Sequence, residues 1–196
     1  MTWTTLMLGA AVATWAAIHS WLATLSMKGR AARRLGNGAA RMYRLFYNGF
    51  AIVSFAPIAL LFRNAPDVVL YRATAPWLHV LLAGQLAAAG LAAIALLQTG
   101  PLAFAGIAQA LGVTEAAPLA TSGFYGIVRH PLYLFGLLFI WLTPIMTINL
   151  LVVYIVFTIY FFVGAVLEEK RLVAEFGTTY SDYQRRVPMI IPGLKL

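Results

Sequence analysis

"LYLFGLLFIWLTPIMTINLLVVYIVFTIYFFVGAVL", from Leu132 to Leu167, contains no charged residue. As a single helix it would be about 54 Å long at 1.5 Å per residue, against a hydrocarbon core of about 30 Å. A break is required. Pro144, inside "TPIMTIN", supplies one, and Asn149 adds a polar turn residue. The spacing predicts a helical hairpin with legs near 132–143 and 149–167. Two passes return the chain to the face it left, so "VRHPLY" (128–133) at the entry and "EEKR" (168–171) at the exit are expected on one side of a membrane.

The composition supports that setting. The 196 residues are 62% hydrophobic and 10% charged, where a soluble domain carries about 25% charged residues. So few charges cannot cover a water-facing surface, and lipid must be the solvent for much of the chain. The expectation is an all-α integral membrane protein of one domain over 1–196, with the lipid bilayer as a partner. Three further uncharged runs are long enough to span, near 4–27, 45–62 and 77–98. Pro57 in the second is tolerable within a membrane helix. That makes about five spans. The opening "MTWTTLMLGA" lacks a positive n-region, which favours a retained span over a cleaved signal. No cysteine occurs, so disulfides and thiolate metal sites are excluded, and no metal is expected.

The net charge of +8 raises nucleic acid as a partner. In a membrane chain, orientation and attraction to anionic lipid explain it better, so no nucleic-acid partner is expected. Lys28, Arg30, Arg33, Arg34, Arg41 and Arg44 crowd the first connection, and Arg63 and Arg72 lie in the second. Arg129 is in the third, and Lys170, Arg171, Arg185, Arg186 and Lys195 are in a tail at 168–196. With alternating sides, all of the 14 but Arg63 and Arg72 fall on one face. The positive-inside rule then puts the N-terminus outside and an amphipathic tail in the cytoplasm, in the cell inner membrane. The third connection, 99–131, is long for a bundle loop, and such loops are usually functional or disordered. Its Ala, Leu and Gly content argues against disorder.

The hairpin entry carries chemistry. Pro131 suits a first helical position, leaving His130 at the helix entry. The helix dipole and Arg129 together offer an anion site for a carboxylate or phosphate. Snorkelling of Arg129 to lipid phosphate is the plainer alternative. At the exit, Glu168 and Glu169 run against the local charge trend. They suit ribose hydroxyls, an ammonium or general-base work, unless Glu168 only pairs with Arg171 along the helix. Adjacent residues point about 100° apart, so the two glutamates divide into one for the ligand and one for support. With Tyr125 and Tyr133 between anion site and acid pair, the constellation matches a zwitterionic ligand carrying a ribose. S-adenosylmethionine and a nucleotide both satisfy it. No G-x-G-x-x-G, P-loop or H-E-x-x-H motif is present.

"TSGFYGIVRHPLYLFG" (121–136) and "EEKRLVAEFGTTYSDYQRRVPMIIPG" (168–193) resemble the membrane methyltransferase superfamily of isoprenylcysteine carboxyl methyltransferases and phospholipid N-methyltransferases. The likeness runs from Ala117 to Gly193 and rests on S-G-x-Y, R-H-P-x-Y, the acidic pair, F-G-x-x-Y-x-x-Y-x-x-x-V-P and a final I-P. It implies S-adenosyl-L-methionine as cofactor, contacted by Pro118, Leu119, Ala120, Tyr125, His130, Pro131, Leu132, Tyr133 and Glu168. In the isoprenylcysteine branch an arginine four residues before that glutamate holds the substrate carboxylate. Gly164 stands there in this chain, which argues against a prenylcysteine substrate. The first half, with "AIHSW" and the basic stretch after it, is similar to small bacterial members that include thiol S-methyltransferases. The implied acceptor is a small lipophilic compound, a thiol or a lipid. Methyl transfer needs in-line alignment in a dry site, with the tail closing over it through Tyr180, Tyr183 and Val187 on one helical face.

His19 within the first span is a possible substrate-side residue. His79 reads as interfacial, and Trp3, Trp21, Trp77 and Trp141 as interface anchors. Gly84 and Gly90 suggest close helix packing, and Gln85 and Gln98 polar glue between helices. Two rivals stand beside the methyltransferase reading. One is an NADPH-dependent membrane reductase of sterol-reductase type, for which Arg185 and Arg186 are the phosphate-binding candidates. The other is a non-enzymatic membrane protein on the same scaffold.

Overall fold

The computed structural model describes residues 2–113 and 118–194. Lys195, Ala117 and the other residues between 113 and 118 lie outside them. The protein has the all-α membrane architecture expected of its composition. Among the described residues, four helices are long and apolar enough to cross a membrane, and a shorter apolar helix accompanies them. The chain divides into two compact units, each described by itself.

The first unit comprises residues 1–68 and 99–118. Helix α1 (Trp3–Leu22) starts at Thr2, whose hydroxyl caps the amide of Thr5. Helix α2 (Leu25–Asn64) starts in the same way at Thr24 and contains a break at Gly36, where φ is 83°. Its membrane-length part is Gly38–Asn64. The basic first connection, read above as a link between spans, is therefore helical. Ala, Arg and Lys are strong helix formers, and loss of hydrophobicity ended the apolar run without ending the helix. The two helices pack antiparallel in a clear register. Tyr43 Oη donates to the Leu22 carbonyl at 2.7 Å, and Trp15 Nε1 donates to Ser54 Oγ at 3.1 Å. Short helices α4 (Pro101–Ala105) and α5 (Ile107–Ala110) pack on α2, where Asn48 Nδ2 donates to the Ala105 carbonyl at 2.9 Å.

The second unit comprises residues 69–98 and 119–196. Strand β1 (Val69–Arg72) leads into α3 (Trp77–Gln98), whose bounds match the expected span. A 3-10 turn at Gly123–Gly126 precedes α6 (Pro131–Trp141), with Pro131 at its start as expected. The predicted break is present. Between α6 and α7 (Ile148–Phe176) lies strand β2 (Ile145–Thr147), paired antiparallel with β1. Tyr71 Oη also donates to the Thr143 carbonyl at 2.9 Å. Helix α7 overruns its expected end at 167 by more than two turns, so Glu168 and Glu169 ride on rigid helix and the tail begins only at Gly177. Helix α8 (Thr178–Arg186) follows.

Helices α3 and α6 are in close contact. A Cβ on Gly84 would stand 3.0 Å from Leu142 Cδ1, whereas one on Gly90 would meet open space. Close packing holds for Gly84 and not for Gly90. Gln85 is glue as expected, its amide donating to the Phe139 carbonyl at 2.9 Å. The core of this unit gathers Ala165 of α7 with Met189 and Ile190 of the tail, against Tyr133, Leu134, Leu137 and Phe162.

Candidate functional site

The ends of α6 and α7 meet, as the hairpin requires. His130 is the N-cap residue of α6, and Arg129 and His130 lie in irregular chain that borders the tail: Arg129 N–H donates to the Pro188 carbonyl at 2.8 Å and His130 N–H to the Met189 carbonyl at 3.0 Å. This ladder fixes both side chains from their backbone. Val187, Pro188 and Met189 follow α8 directly, so the tail that was expected to close over the site is tied to it by main-chain bonds.

Arg129 is buried, with 6% of its surface exposed, and all three guanidinium nitrogens are engaged within the chain. Nε meets Glu169 Oε1 at 2.5 Å and Nη2 meets Oε2 at 3.1 Å, a forked pair. Nη1 donates to the carbonyls of Gln184, at 2.9 Å, and Val187. Gln184 Nε2 also donates to Glu169 Oε2 at 2.8 Å. Arg129, read above as part of an anion site, and Glu169, one of the acid pair divided between ligand and support, are each other's partner in the structure. A buried cation left without an anion costs several kcal/mol, which the pair avoids. Sequence could not show it, because the partners stand 40 residues apart.

Glu168 differs. Its side chain is 35% exposed. It accepts from Tyr133 Oη at 3.2 Å and from Arg171 Nη2 at 3.4 Å. His130 stands between the two carboxylates, with Nε2 at 3.3 Å from Glu169 Oε1 and Nδ1 at 3.7 Å from Glu168 Oε2. A carboxylate only accepts, so the bond to Glu169 places a proton on Nε2. The acidic pair thus separates into a buried support and a half-exposed carboxylate, as adjacent helical positions dictate.

The rings of His130, Tyr133 and Phe161 stack in a column, with centroids 5.3 Å apart at each step and planes tilted by 9°. A carboxylate beside such faces attracts an organic cation. Arg171 Nε is buried without a hydrogen-bond partner among the described residues. It leaves a donor beside Glu168 that the sequence reading treated only as a helix-pairing partner. A cleft of about 330 Å³ runs along α7 and α8, lined by Val166, Glu169, Lys170, Val173 and Gln184. It takes in Glu169 but not Glu168.

Tyr125 lies in the 3-10 turn, and its carbonyl accepts from Tyr183 Oη. Burial pushes the Tyr183 hydroxyl up to about 12, so it remains a donor through the neutral range. Gln98 was expected to be simple glue. It accepts from Phe124 N–H at 3.2 Å and presses on Gly123, where a Cβ would stand 2.6 Å from its Nε2. Gly123 has φ 62°, so this turn needs glycine both for its backbone and for the close approach. Tyr180 is 1% exposed and Tyr183 3%, on one face of α8 as expected. Pro131 is buried at the foot of α6, and Leu132 beside it is half-buried. Leu119 and Ala120 belong to the second unit and Pro118 to the first; all three are irregular chain.

His19 has a separate environment in the first unit. Tyr47 Oη bonds to its Nε2, and its ring stacks between Trp15 and Tyr47 at 5.1 and 4.4 Å. Arg185 is 78% exposed at its side chain and pairs with Asp182 at 3.0 Å, while Arg186 Nε donates to the Asp182 carbonyl at 3.3 Å.

No family model matches the chain, and no solved structure does. Curated relatives match part of it. A "methanethiol S-methyltransferase" of Crocosphaera subtropica is 54% identical over 80 residues, 40% of this chain and 31% of that protein. "Methanethiol S-methyltransferase 2" of Bradyrhizobium diazoefficiens is 53% identical over 70 residues, 36% of this chain and 27% of its own length. A homologue of the same name from Mycobacterium tuberculosis is 36% identical over 92 residues, 44% of this chain and 38% of its own. The matches span about a third of the length of these relatives. Within that part, the chain is similar to methyltransferases named for a small thiol.

Proposed function

We propose that this protein is a membrane methyltransferase that takes S-adenosylmethionine as donor and a small thiol such as methanethiol as acceptor. The observation that carries the proposal is the 54% identity to a protein named for that reaction. The site chemistry fits the donor. Its sulfonium and ammonium are organic cations, and Glu168 with the His130–Tyr133–Phe161 column offers a carboxylate beside aromatic faces. Its ribose hydroxyls suit the same carboxylate, and the half-exposed Arg171 guanidinium beside Glu168 suits its carboxylate.

When bound, the donor supplies an activated methyl group. Glu168 and Tyr133 hold the cation-binding edge, Arg129 and Glu169 hold the tail against the loop, and His130 is aligned by Glu169 from one side. Leu119, Ala120, Tyr125, Pro131 and Leu132 are further candidates for donor contact in the second unit, and Pro118 and His19 are candidates in the first, His19 for the acceptor. Gly164 supports a small acceptor: it places no side chain near Tyr133 Oη, to which a Cβ would come within 3.7 Å. A thiol reaching the site as thiolate needs no dedicated base. The charge asymmetry supports a cytoplasmic tail.

Calorimetry on detergent-purified protein tests the donor, with S-adenosylhomocysteine and NADPH as separate titrants. Expected is micromolar binding of the first, weakened at least tenfold by Glu168→Gln, together with transfer of labelled methyl to methanethiol. Binding of NADPH alone would move the site to the reductase reading. Binding of neither would sink both.

A further inference from the structure

Helix α2 is too long for the membrane it enters. Its 40 residues would reach about 60 Å, twice a hydrocarbon core. The first part must therefore lie outside. The break at Gly36, with φ 83° and ψ 179°, separates that part from the membrane-length helix Gly38–Asn64. The bond from Tyr43 to the Leu22 carbonyl sets the level: the chain leaves α1 at Leu22 and is back beside it at Tyr43. Residues 23–42 form an excursion that begins and ends at the same depth.

That excursion is sided. At about 100° per residue, Arg30, Arg33 and Arg34 fall within one arc of about 100° on the segment Leu25–Leu35. Leu25, Ala31, Ala32 and Leu35 occupy the opposite side. Lys28 alone interrupts the apolar side, and its long stem can carry the ammonium to the polar boundary. Leu25 is 61% exposed and Leu35 73%, while Ala31 and Ala32 are half-buried, so the first unit leaves the two leucines of the apolar side uncovered. The four cations are exposed as well, and the sequence contains no acidic residue before Asp67. A cationic face opposite an uncovered apolar one, at the mouth of a membrane hairpin, is matched by a bilayer surface rich in anionic headgroups.

We propose that Leu25–Leu35 is an interfacial anchor that lies in the headgroup layer and selects anionic lipid, with Gly36 as its elbow. The leucines enter the acyl boundary, and the arginines face phosphate.

The absence of cysteine makes the test clean. The full chain carrying Leu35→Cys with an environment-sensitive fluorophore is reconstituted in nanodiscs of phosphatidylcholine, with and without one third phosphatidylglycerol. A second label at Ile52, 76% exposed on the spanning part of α2, reports insertion. Expected is a blue-shifted Leu35 label, shielded from an aqueous quencher at least threefold, in anionic discs. That shielding is lost in neutral discs and in the Arg30→Gln, Arg33→Gln, Arg34→Gln triple variant, while Ile52 stays shielded throughout. A Leu35 label equally open to water in both discs would overturn the anchor. Equal shielding in both, unaffected by the triple variant, would overturn its selectivity for charge.

Discussion

Arg129 and Glu169 are the residues on which the second unit turns. Their forked pair is buried and also holds Gln184 and the Val187 carbonyl, so removing either partner leaves an uncompensated charge in the interior. Arg129→Ala and Glu169→Ala are each expected to cost about 3–5 kcal/mol, read as a fall in thermal midpoint in detergent. The double variant should cost less than the sum, since the second removal relieves the stranded charge. Tyr180 makes the opposite case. Its hydroxyl is buried without a partner among the described residues, and burial, then the nearby Glu169 carboxylate, pushes its pKa up. An unmet donor is a liability, so Tyr180→Phe should leave the midpoint unchanged or raise it. A fall of several degrees would mean that the hydroxyl has a role in holding the fold.

Among the elements, the 3-10 turn at Gly123–Gly126 is tied to α3 through Gln98. Gly123→Ala would require a strained φ and would drive a methyl into Gln98. It should destabilise by about 1–3 kcal/mol. Gly90→Ala on α3 meets open space and should be neutral or slightly stabilising, because alanine is the better helix former. If the two variants behave alike in a melting experiment, this account of the turn fails. Element ends show where sequence reading stopped short. The apolar runs located α3 to the residue and placed the break near Pro144, because bilayer length and proline geometry are local constraints. They ended α7 at Leu167 and treated the basic stretch before Leu45 as a connection, because charge marks the end of the hydrocarbon and not of the helix. The β1–β2 clamp was invisible: its strands are four and three residues long, and one adjoins a proline-bearing turn.

For the molecule as a whole, the charge distribution argues for a defined orientation. In a chain without cysteine, single cysteines at Arg186 and at Asn64 can be probed in intact cells with a membrane-impermeant maleimide. The Asn64 site should label from outside, and the Arg186 site only after permeabilisation. The reverse pattern would overturn the orientation. What the sequence determined by itself was the solvent, the helical class, the hairpin and the meeting of "VRHPLY" with "EEKR". Each follows from composition and from distances counted along one chain. The tertiary structure alone decided which charges are spent. Glu168 and Glu169 are chemically identical neighbours, yet one is buried against Arg129 and the other remains half-exposed beside Tyr133. The difference arises because burial sets whether a charge must find its partner inside the protein, and burial belongs to packing between residues far apart in sequence.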